Sequence, residues 1–333
     1  MKNNYVIFWR NWDLYEQSFL DLKGKQYARF INNPTYYMHG IKKHVYEVQH
    51  RHPRVNKKLE KIFGGLWIKP DYWYPLYFEN DFDNNNELVF VFDTEWAQGE
   101  FANYVPFLRK KYSEAKFVLV CTDLWRTLGV SDINWTNKNF DLVLSFDQND
   151  CKKYGFTYHP LVFSPFQRKI EDKPNYDVFF LGQSKNRLPE ILACLEKLWE
   201  NEVSTDVHLI WVDPKDQVYK DRITYVNEVI PYKTNLQHFL HANCALEIMQ
   251  HGGVGYTQRM CEAIVFDKKI ITNNKLIHEA PFYNPSYIFQ INSAADITPE
   301  LCQKIKRVEH VDYHYKEQIS PIELLQFIEN KLS

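Results

Sequence analysis

The chain has 333 residues, of which 45% are apolar, 25% are charged and 16% are aromatic. This is the composition of a globular protein, and the length favours two domains. The formal net charge of −2 argues against generic nucleic-acid binding, which is typical of strongly basic domains, although a local basic patch is compatible with it. We therefore expect a folded, two-domain protein with no nucleic-acid partner.

The cysteines and the N-terminus bear on the compartment. The six cysteines are scattered without a Cys-x-x-Cys pair or a zinc spacing, at positions 121, 151, 194, 244, 261 and 302. Four of them lie in apolar runs, where buried free thiols are usual, so we expect a reducing compartment. The first apolar run is too short for a signal peptide, and no stretch approaches the ~18 apolar residues of a membrane span. We expect a cytoplasmic protein, or one bound peripherally to the inner face of the membrane.

Strand–helix alternation begins near the N-terminus. In the first half it predicts strands at residues 5–9, 87–93, 116–123 and 140–147, and helices at 101–112 and 148–154. Several of these strands are continuous apolar runs that end in aspartate. Such runs are typical of parallel strands covered on both faces, with polar groups at their carboxyl ends.

The alternation restarts after a polar, proline-containing segment at residues 164–176. The second half is predicted to contain strands at 177–182, 207–212, 244–249 and 269–272. Its helices are predicted at 188–199, 235–242 with Thr234 as N-cap, 256–266 and 321–332. We therefore predict an α/β protein with two Rossmann-like, doubly wound domains, residues 1–165 and 173–333, facing a cleft.

A glycine-rich turn in the second half is the strongest local signal. Gly252, Gly253 and Gly255 follow an apolar strand and precede a helix, where they allow a sharp turn and close approach to a ligand. A helix start of this kind favours phosphate. Arg259 and Glu262, three residues apart on that helix, could face a diphosphate and a ribose. The alternative is a turn followed by an exposed ion pair.

A second turn follows the first strand of the second half. That strand ends at Gly182, and Lys185 and Arg187 follow at the predicted mouth of the cleft. Two cations there could stabilise a diphosphate leaving group as its charge develops. A solvated loop is the alternative, but both turns are expected at one edge of one sheet, where they could bind the same ligand.

The second half resembles the carboxyl-terminal domain of bacterial GT-B glycosyltransferases of capsule and lipopolysaccharide biosynthesis. The matching segments are DVFFLGQSKNRLPEIL, ALEIMQHGGVGYTQRMCEAIVFDKKIITNN and FYNPSYIF. The first half resembles the same group in FVLVCTDLW and NFDLVLSFDQNDCKKYGFTYHPLVF. The resemblance covers roughly residues 87–291 and is most specific in the Thr-x-Arg-x-x-Glu segment.

This resemblance implies a nucleotide-sugar donor site. Glu262 would hold the ribose hydroxyls, and Arg259, Arg187 and Lys185 would neutralise the diphosphate. The backbone around Thr257 would bind a phosphate oxygen. Neither a metal nor another cofactor is expected, because cationic side chains and the helix start take the metal's place.

Two further positions follow from the resemblance. Tyr232 falls where such enzymes often contact the base. Many retaining members also carry a second glutamate, separated by seven residues from the ribose-binding one. Here that position is Val254, which leaves the stereochemical outcome open.

A catalytic base would take the proton from the attacking acceptor hydroxyl. The candidates are acidic residues that follow strands of the first half: Asp13, Asp93 and Glu95. The alternative for each is a helix cap or a surface acid. An enzyme that retains configuration would not need such a base.

A basic segment followed by aromatic residues, Lys42–Phe78, could contact an anionic membrane surface or an anionic glycolipid. The same pattern suits single-stranded nucleic acid, although we expect none. The alternative is a solvated basic helix beside a packed aromatic core.

The sequence thus predicts a glycosyltransferase that moves a sugar from a nucleoside-diphosphate donor to a hydroxyl of a surface glycan or glycolipid. One alternative is a nucleotide-sugar epimerase on the same fold. Another is a non-catalytic, degenerate transferase that binds a glycan or a partner enzyme.

Overall fold

The computed structural model describes residues 1–9, 13–31, 38–51, 58–59, 61–62, 72–77, 82–98, 101–128, 132–165 and 174–333. Within these ranges the chain forms two six-stranded sheets with helices, and all paired strands are parallel. The predicted α/β architecture of two doubly wound, Rossmann-like halves is confirmed.

The first sheet has the strand order β2-β1-β3-β4-β5-β6. Its strands are β1 (Asn4–Phe8), β2 (Ala28–Ile31), β3 (Leu88–Asp93), β4 (Lys116–Cys121), β5 (Leu142–Ser145) and β6 (Thr157–Tyr158). The α-helices described in this half are α1 (Asp13–Ser18), α2 (Gly40–Arg51), α3 (Tyr104–Lys111), α4 (Ile133–Asn139) and α5 (Gln148–Tyr154). Every residue of β3 is buried, as expected for a strand covered on both faces.

The second sheet has the order β12-β11-β10-β7-β8-β9. Its strands are β7 (Tyr176–Gln183), β8 (Thr205–Ile210), β9 (Thr224–Val226), β10 (Ala242–Glu247), β11 (Lys269–Thr272) and β12 (Ile288–Gln290). The helices of this half are α6 (Leu188–Glu200), α7 (Tyr232–Leu240), α8 (Gln258–Val265), α9 (Pro299–Lys306) and α10 (Pro321–Leu332). The order of the sheet reverses between β7 and β10, and ligands of doubly wound sheets bind at such a switch point.

Most predicted elements are present with shifted ends, and β11 matches its prediction. One helix start was wrong. Residues 235–242 were predicted to form a helix capped by Thr234, but α7 begins at Tyr232, directly after Pro231. Proline fixes its own φ near −65°, so it can lead the chain into a helix without a capping side chain. As a result, Tyr232 lies in the first turn of α7.

The last helix returns to the first sheet. Leu324, Leu325 and Ile328 of α10 are buried in the same apolar cluster as Tyr5 and Ile7 of β1. The hydroxyl of Tyr5 donates a hydrogen bond of 2.9 Å to the carbonyl oxygen of Leu325. Residues beyond the second sheet therefore complete the core around the first.

The aromatic residues after the basic segment mostly belong to the core. Trp73, Tyr74 and Tyr77 are buried in the apolar cluster on one face of the first sheet, whereas Tyr72 is exposed. These buried rings cannot contact a membrane, so for them the alternative of a packed aromatic core holds. Trp67 and Phe78 lie outside the described residues.

Two other predictions concern burial and membrane crossing. Cys121, Cys194, Cys244 and Cys261 are buried free thiols, as their apolar surroundings predicted. Among the helices of the described ranges, none has the length and apolar character needed to cross a bilayer.

Candidate donor-binding site

A cavity of about 400 Å³ opens at the switch point of the second sheet. This is within the usual range for small-molecule sites. Its walls come from the ends of β7 and β10, the starts of α7 and α8, and loops of the first half. Six of the seven residues predicted to hold the donor line it, namely Gly182, Arg187, Tyr232, Thr257, Arg259 and Glu262.

Lys185 is the seventh predicted donor residue, and the structure separates it from the other six. It is exposed, has a left-handed φ of 47°, and is not among the described residues that line the cavity. We therefore expect Lys185 to contribute much less than Arg187 to the binding of a donor diphosphate.

Arg187 joins the two strand-end loops. Its guanidinium donates hydrogen bonds to the carbonyl oxygens of Gln183 at 2.7 Å, Ser184 at 3.3 Å and Ile248. The first two lie at the end of β7 and the third lies just beyond β10. A guanidinium has five N–H groups, so it can make these contacts and still donate to a ligand. Burial lowers the pKa of Arg187, while nearby Glu190 and Glu247 counteract this effect.

Arg259 and Glu262 form a buried ion pair rather than an exposed one. Arg259 Nη1 lies 2.9 Å from Glu262 Oε2, and the two side chains are 14% and 4% exposed. The guanidinium of Arg259 is also held between the rings of Phe179 and Phe239, at 4.9 and 5.3 Å from their centroids. These contacts fix a cation at the wall of the cavity.

Tyr232 is hydrogen-bonded to Glu262 and also lines the cavity. Its hydroxyl donates a hydrogen bond of 2.8 Å to Glu262 Oε1, and its ring is buried. Burial raises the pKa of Glu262, while Arg259 and the Tyr232 hydrogen bond oppose that rise. Carboxylate oxygens have about four acceptor positions in total, so Glu262 can still accept from ligand hydroxyls.

Glu247 is a buried acid of the cavity that the sequence analysis did not identify. It is the last residue of β10 and accepts hydrogen bonds from the hydroxyls of Thr257 and Thr272. Burial raises the pKa of Glu247, and the threonine hydrogen bonds, Arg259 and Arg187 counteract this rise. A polar residue ending an apolar strand was the available signal.

The start of α8 faces the cavity without a side-chain cap. Thr257 occupies the N-cap position, but its hydroxyl is directed to Glu247 and not to the first N–H groups of the helix. Gln258 and Arg259 of the first turn line the cavity. An uncapped helix start at a cavity wall offers N–H donors and a partial positive charge to an anion.

The glycine-rich turn also contacts the first half of the chain. Asp147, from the first half, accepts hydrogen bonds from the backbone N–H groups of Val254 at 2.9 Å and Gly255 at 3.2 Å. A Cβ at Gly255 would overlap the carbonyl oxygen of Phe146. The turn therefore brings the two halves of the chain together, and Gly255 is needed for that contact. The phosphate-binding N–H groups predicted from the sequence are those of the helix start, and Asp147 does not bind these.

The candidate bases lie at different depths. Asp93 is buried and accepts a hydrogen bond of 3.0 Å from the N–H of Glu95, as the cap alternative predicted. Glu95 is partly buried. Asp13 begins α1, but its side chain lies outside the described ones. Neither Asp93 nor Glu95 is among the described residues that line the cavity.

Asp123 is an additional acid that lines the cavity. It lies two residues after β4, is partly exposed, and accepts a hydrogen bond of 2.8 Å from the N–H of Leu124. The sequence contained a signal for it, because the apolar run before it ends in aspartate. Among the described residues of the first half, it is the acid that lines the cavity.

A larger cavity, of about 820 Å³, lies on the other side of the glycine-rich turn. Its wall includes Glu190 and His251, whose side chains are 3.0 Å apart, and Asn149 from the first half. Of the predicted donor residues, none is among its described lining. The smaller cavity is the better candidate for a donor site, because it lies between β7 and β10 and the predicted cations Arg187 and Arg259 line it.

The chain is similar to known proteins in its structure rather than in its sequence. No protein-family model matches the chain. No curated protein matches it in sequence. Solved structures match over nearly the whole length. Trehalose-6-phosphate synthase OtsA has a TM-score of 0.54 and 10% identity, with 98% of each chain covered. An alpha-glucosyltransferase in complex with UDP-glucose and DNA containing an abasic site has a TM-score of 0.58 and 10% identity, with 99% of each chain covered.

These similarities define the class of fold. The chain has the GT-B fold, with its two parallel sheets of six strands and their helices. Proteins that share this arrangement include glycosyltransferases that use nucleotide sugars. At 10% identity the similarity concerns the fold, and the chemistry of this chain has to be argued from its own residues.

Proposed function

We propose that this protein is a glycosyltransferase that moves a sugar from a nucleoside-diphosphate donor to a hydroxyl group. The observation that supports this most directly is the convergence of Arg187, Arg259 and Glu262 on one cavity at a switch point. Two fixed cations and a carboxylate match the diphosphate and the ribose of such a donor. The GT-B fold agrees with this activity.

The donor would be held without a metal. Arg187 and Arg259 supply positive charge, and the uncapped start of α8 supplies N–H donors for a phosphate oxygen. Glu262 would accept hydrogen bonds from the ribose hydroxyls. Tyr232 would position Glu262, since its hydroxyl already holds one carboxylate oxygen.

Transfer breaks the bond between the anomeric carbon and the diphosphate oxygen. The bonding electrons leave with the nucleoside diphosphate, whose new charge the two arginines stabilise. The acceptor oxygen bonds to the anomeric carbon and loses its proton. Of the acids whose side chains the structure describes, Asp123 has a better position than Asp93 and Glu95 to take that proton in an inverting reaction, because it lines the cavity. Asp13, whose side chain lies outside the described ones, stays a candidate.

We propose a surface glycan or glycolipid as the acceptor, in capsule or lipopolysaccharide assembly at the inner face of the membrane. The support is the sequence resemblance together with the exposed Lys42 and Lys43 on α2, beside Ile41, which is 82% exposed. A nucleic-acid acceptor is the second candidate. It is favoured by the full-length structural similarity to an alpha-glucosyltransferase in complex with DNA.

Product analysis tests the activity. Purified protein is incubated with a panel of nucleoside-diphosphate sugars, alone or with lipid-linked glycans or duplex oligonucleotides, and the products are identified by mass spectrometry. We expect a sugar adduct on one acceptor class and release of the nucleoside diphosphate. Conversion of the donor into an isomer without an acceptor would identify an epimerase. Unchanged donor in every mixture, together with an absence of nucleotide binding, would contradict the proposal.

A further inference from the structure

A cluster of two histidines and one aspartate lies on the second sheet, outside the lining of the donor cavity. Asp206 and His208 are alternate residues of β8 and therefore point to the same face of the sheet. His238, on α7, packs over them. The two imidazoles approach opposite oxygens of one carboxylate, with 2.7 Å from His208 Nε2 to Asp206 Oδ1 and 2.7 Å from His238 Nδ1 to Asp206 Oδ2.

The donor atoms of this cluster converge. One atom from each residue lies within 4.8 Å of the corresponding atoms of the other two. Ligands of a zinc ion lie about 2.0–2.2 Å from it, so the three side chains would draw closer together around a bound ion. Two imidazole nitrogens and a carboxylate oxygen are donors that suit zinc and related divalent ions.

The surroundings fit a metal site with one open side. The side chains of His208 and Asp206 are 11% and 12% exposed, whereas that of His238 is 36% exposed. The ring of His238 is nearly parallel to that of Phe179, with 6.4 Å between their centroids, and its Nδ1 lies 2.7 Å from Asp206 Oδ2. The exposed side provides an entry path and room for a water molecule as fourth ligand.

We propose that Asp206, His208 and His238 bind a divalent transition-metal ion, for which Zn²⁺ is the best fit. Each ligating nitrogen would present its lone pair to the ion, with the ring proton on the other nitrogen. The ion would connect β8 to α7. Because these residues lie outside the lining of the donor cavity, the role is structural and differs from the metal-free donor binding proposed above.

The connection has a consequence for α7. This helix begins at Tyr232, which holds Glu262, and His238 lies less than two turns further along the same helix. A metal that fixes His238 to the sheet would therefore stabilise the helix that positions Glu262. We expect zinc to raise the melting temperature of the protein, since a ligand that binds the folded state stabilises it by mass action.

The test uses the full-length protein after dialysis against a chelator. Zinc chloride is titrated calorimetrically into the wild type and into His238→Ala, Asp206→Asn and His314→Ala. His314→Ala is the matched control, because His314 lies 3.1 Å from Asp312 in a two-residue pair on the surface. We expect the wild type and His314→Ala to bind one zinc ion. The affinity of the other two variants should fall by more than the roughly 10- to 100-fold that outer-shell substitutions cause.

A second measurement does not depend on the folding of any variant. Co²⁺ added to the wild type should give the intense visible absorption of a tetrahedral nitrogen–oxygen site, and Zn²⁺ should abolish that absorption. For the calorimetric comparison of the variants, circular dichroism verifies that each variant is folded. The proposal is overturned if the wild type shows neither zinc binding nor this spectrum. It is also overturned if folded His238→Ala and Asp206→Asn bind zinc as tightly as the wild type.

Discussion

Gly255 lies directly against the backbone of Phe146, at a point where the two halves of the chain meet. The contact is so close that a methyl group at position 255 would overlap the Phe146 carbonyl. The carboxylate of Asp147, the residue after Phe146, also accepts hydrogen bonds from the backbone N–H groups of Val254 and Gly255 in the glycine-rich turn. The glycine-rich turn therefore also fixes how the two halves approach each other.

Replacing Gly255 by alanine should destabilise this junction. The added methyl group meets rigid backbone, so we expect a loss of about 1–3 kcal/mol in the free energy of unfolding, measured by chemical denaturation. Gly182→Ala is the matched control, because a Cβ there meets nothing within 4 Å. Its free energy of unfolding should stay within about 0.5 kcal/mol of the wild type. Equal stability of Gly255→Ala and Gly182→Ala would contradict the close contact.

Arg187 and Lys185 provide a comparison within one loop. Arg187 lines the donor cavity, whereas Lys185 is exposed outside it. Arg187→Ala should weaken the binding of nucleoside diphosphates roughly 10- to 100-fold, the effect of losing a charge-assisted hydrogen bond of about 1.5–3 kcal/mol. Lys185→Ala should change it much less. Isothermal titration calorimetry measures both, and a larger loss for Lys185→Ala would mean that the diphosphate lies elsewhere.

Tyr232→Phe tests how Glu262 is positioned. The substitution removes the hydroxyl that binds Glu262 Oε1 and keeps the buried ring. We expect nucleotide affinity to fall by a factor of about 5, corresponding to one hydrogen bond of about 1 kcal/mol. Tyr225→Phe is the control, since its hydroxyl binds the carbonyl of Val218 near the surface. A loss of more than 100-fold would instead indicate a direct contact between the Tyr232 hydroxyl and the ligand.

His159 should make the protein sensitive to acid. Burial lowers the pKa of His159 to about 4, and its ring packs edge-on against Phe327 of α10 at 4.9 Å. Between pH 6.5 and about 4 the unfolded chain takes up a proton at this site that the folded chain does not. The contribution of His159 to the free energy of unfolding is therefore fully present above pH 6.5. It is lost as the pH falls towards 4, by up to about 3 kcal/mol.

The comparison for this effect is His159→Asn, which retains a side-chain N–H for the carbonyl of Pro160. Urea denaturation is measured for both proteins at several pH values between 4 and 7. The advantage of the wild type over His159→Asn should shrink as the solution is acidified. An advantage that is constant across this range would show that His159 does not titrate on unfolding.

Much of the architecture could be predicted from the sequence, because each buried parallel strand is a continuous apolar run. The strand β3, for example, is buried at all six positions. Exact ends were less predictable. The start of α7 depends on Pro231, while the sequence offered Thr234 as an equally reasonable cap.

The convergence of six residues on one cavity was predictable, because they follow strands that a doubly wound sheet brings to one edge. Contacts between the halves were not, since they depend on how the two sheets face each other. Asp147 binds the glycine-rich turn across 107 residues of sequence, and no local pattern indicates this. Asp123 and Asp93 both follow apolar strands, and the position of the first half decides which of them lines the cavity.

The most direct test of the account is calorimetric titration of nucleoside diphosphates into the wild type and Glu262→Gln. This substitution keeps the shape of the side chain and an acceptor for Tyr232, so the buried Arg259 loses its ion pair with little change in packing. We predict that the wild type binds at least one nucleoside diphosphate and that Glu262→Gln binds it at least about 10-fold more weakly. Failure of the wild type to bind any nucleoside diphosphate would contradict the assignment of this cavity as a donor site.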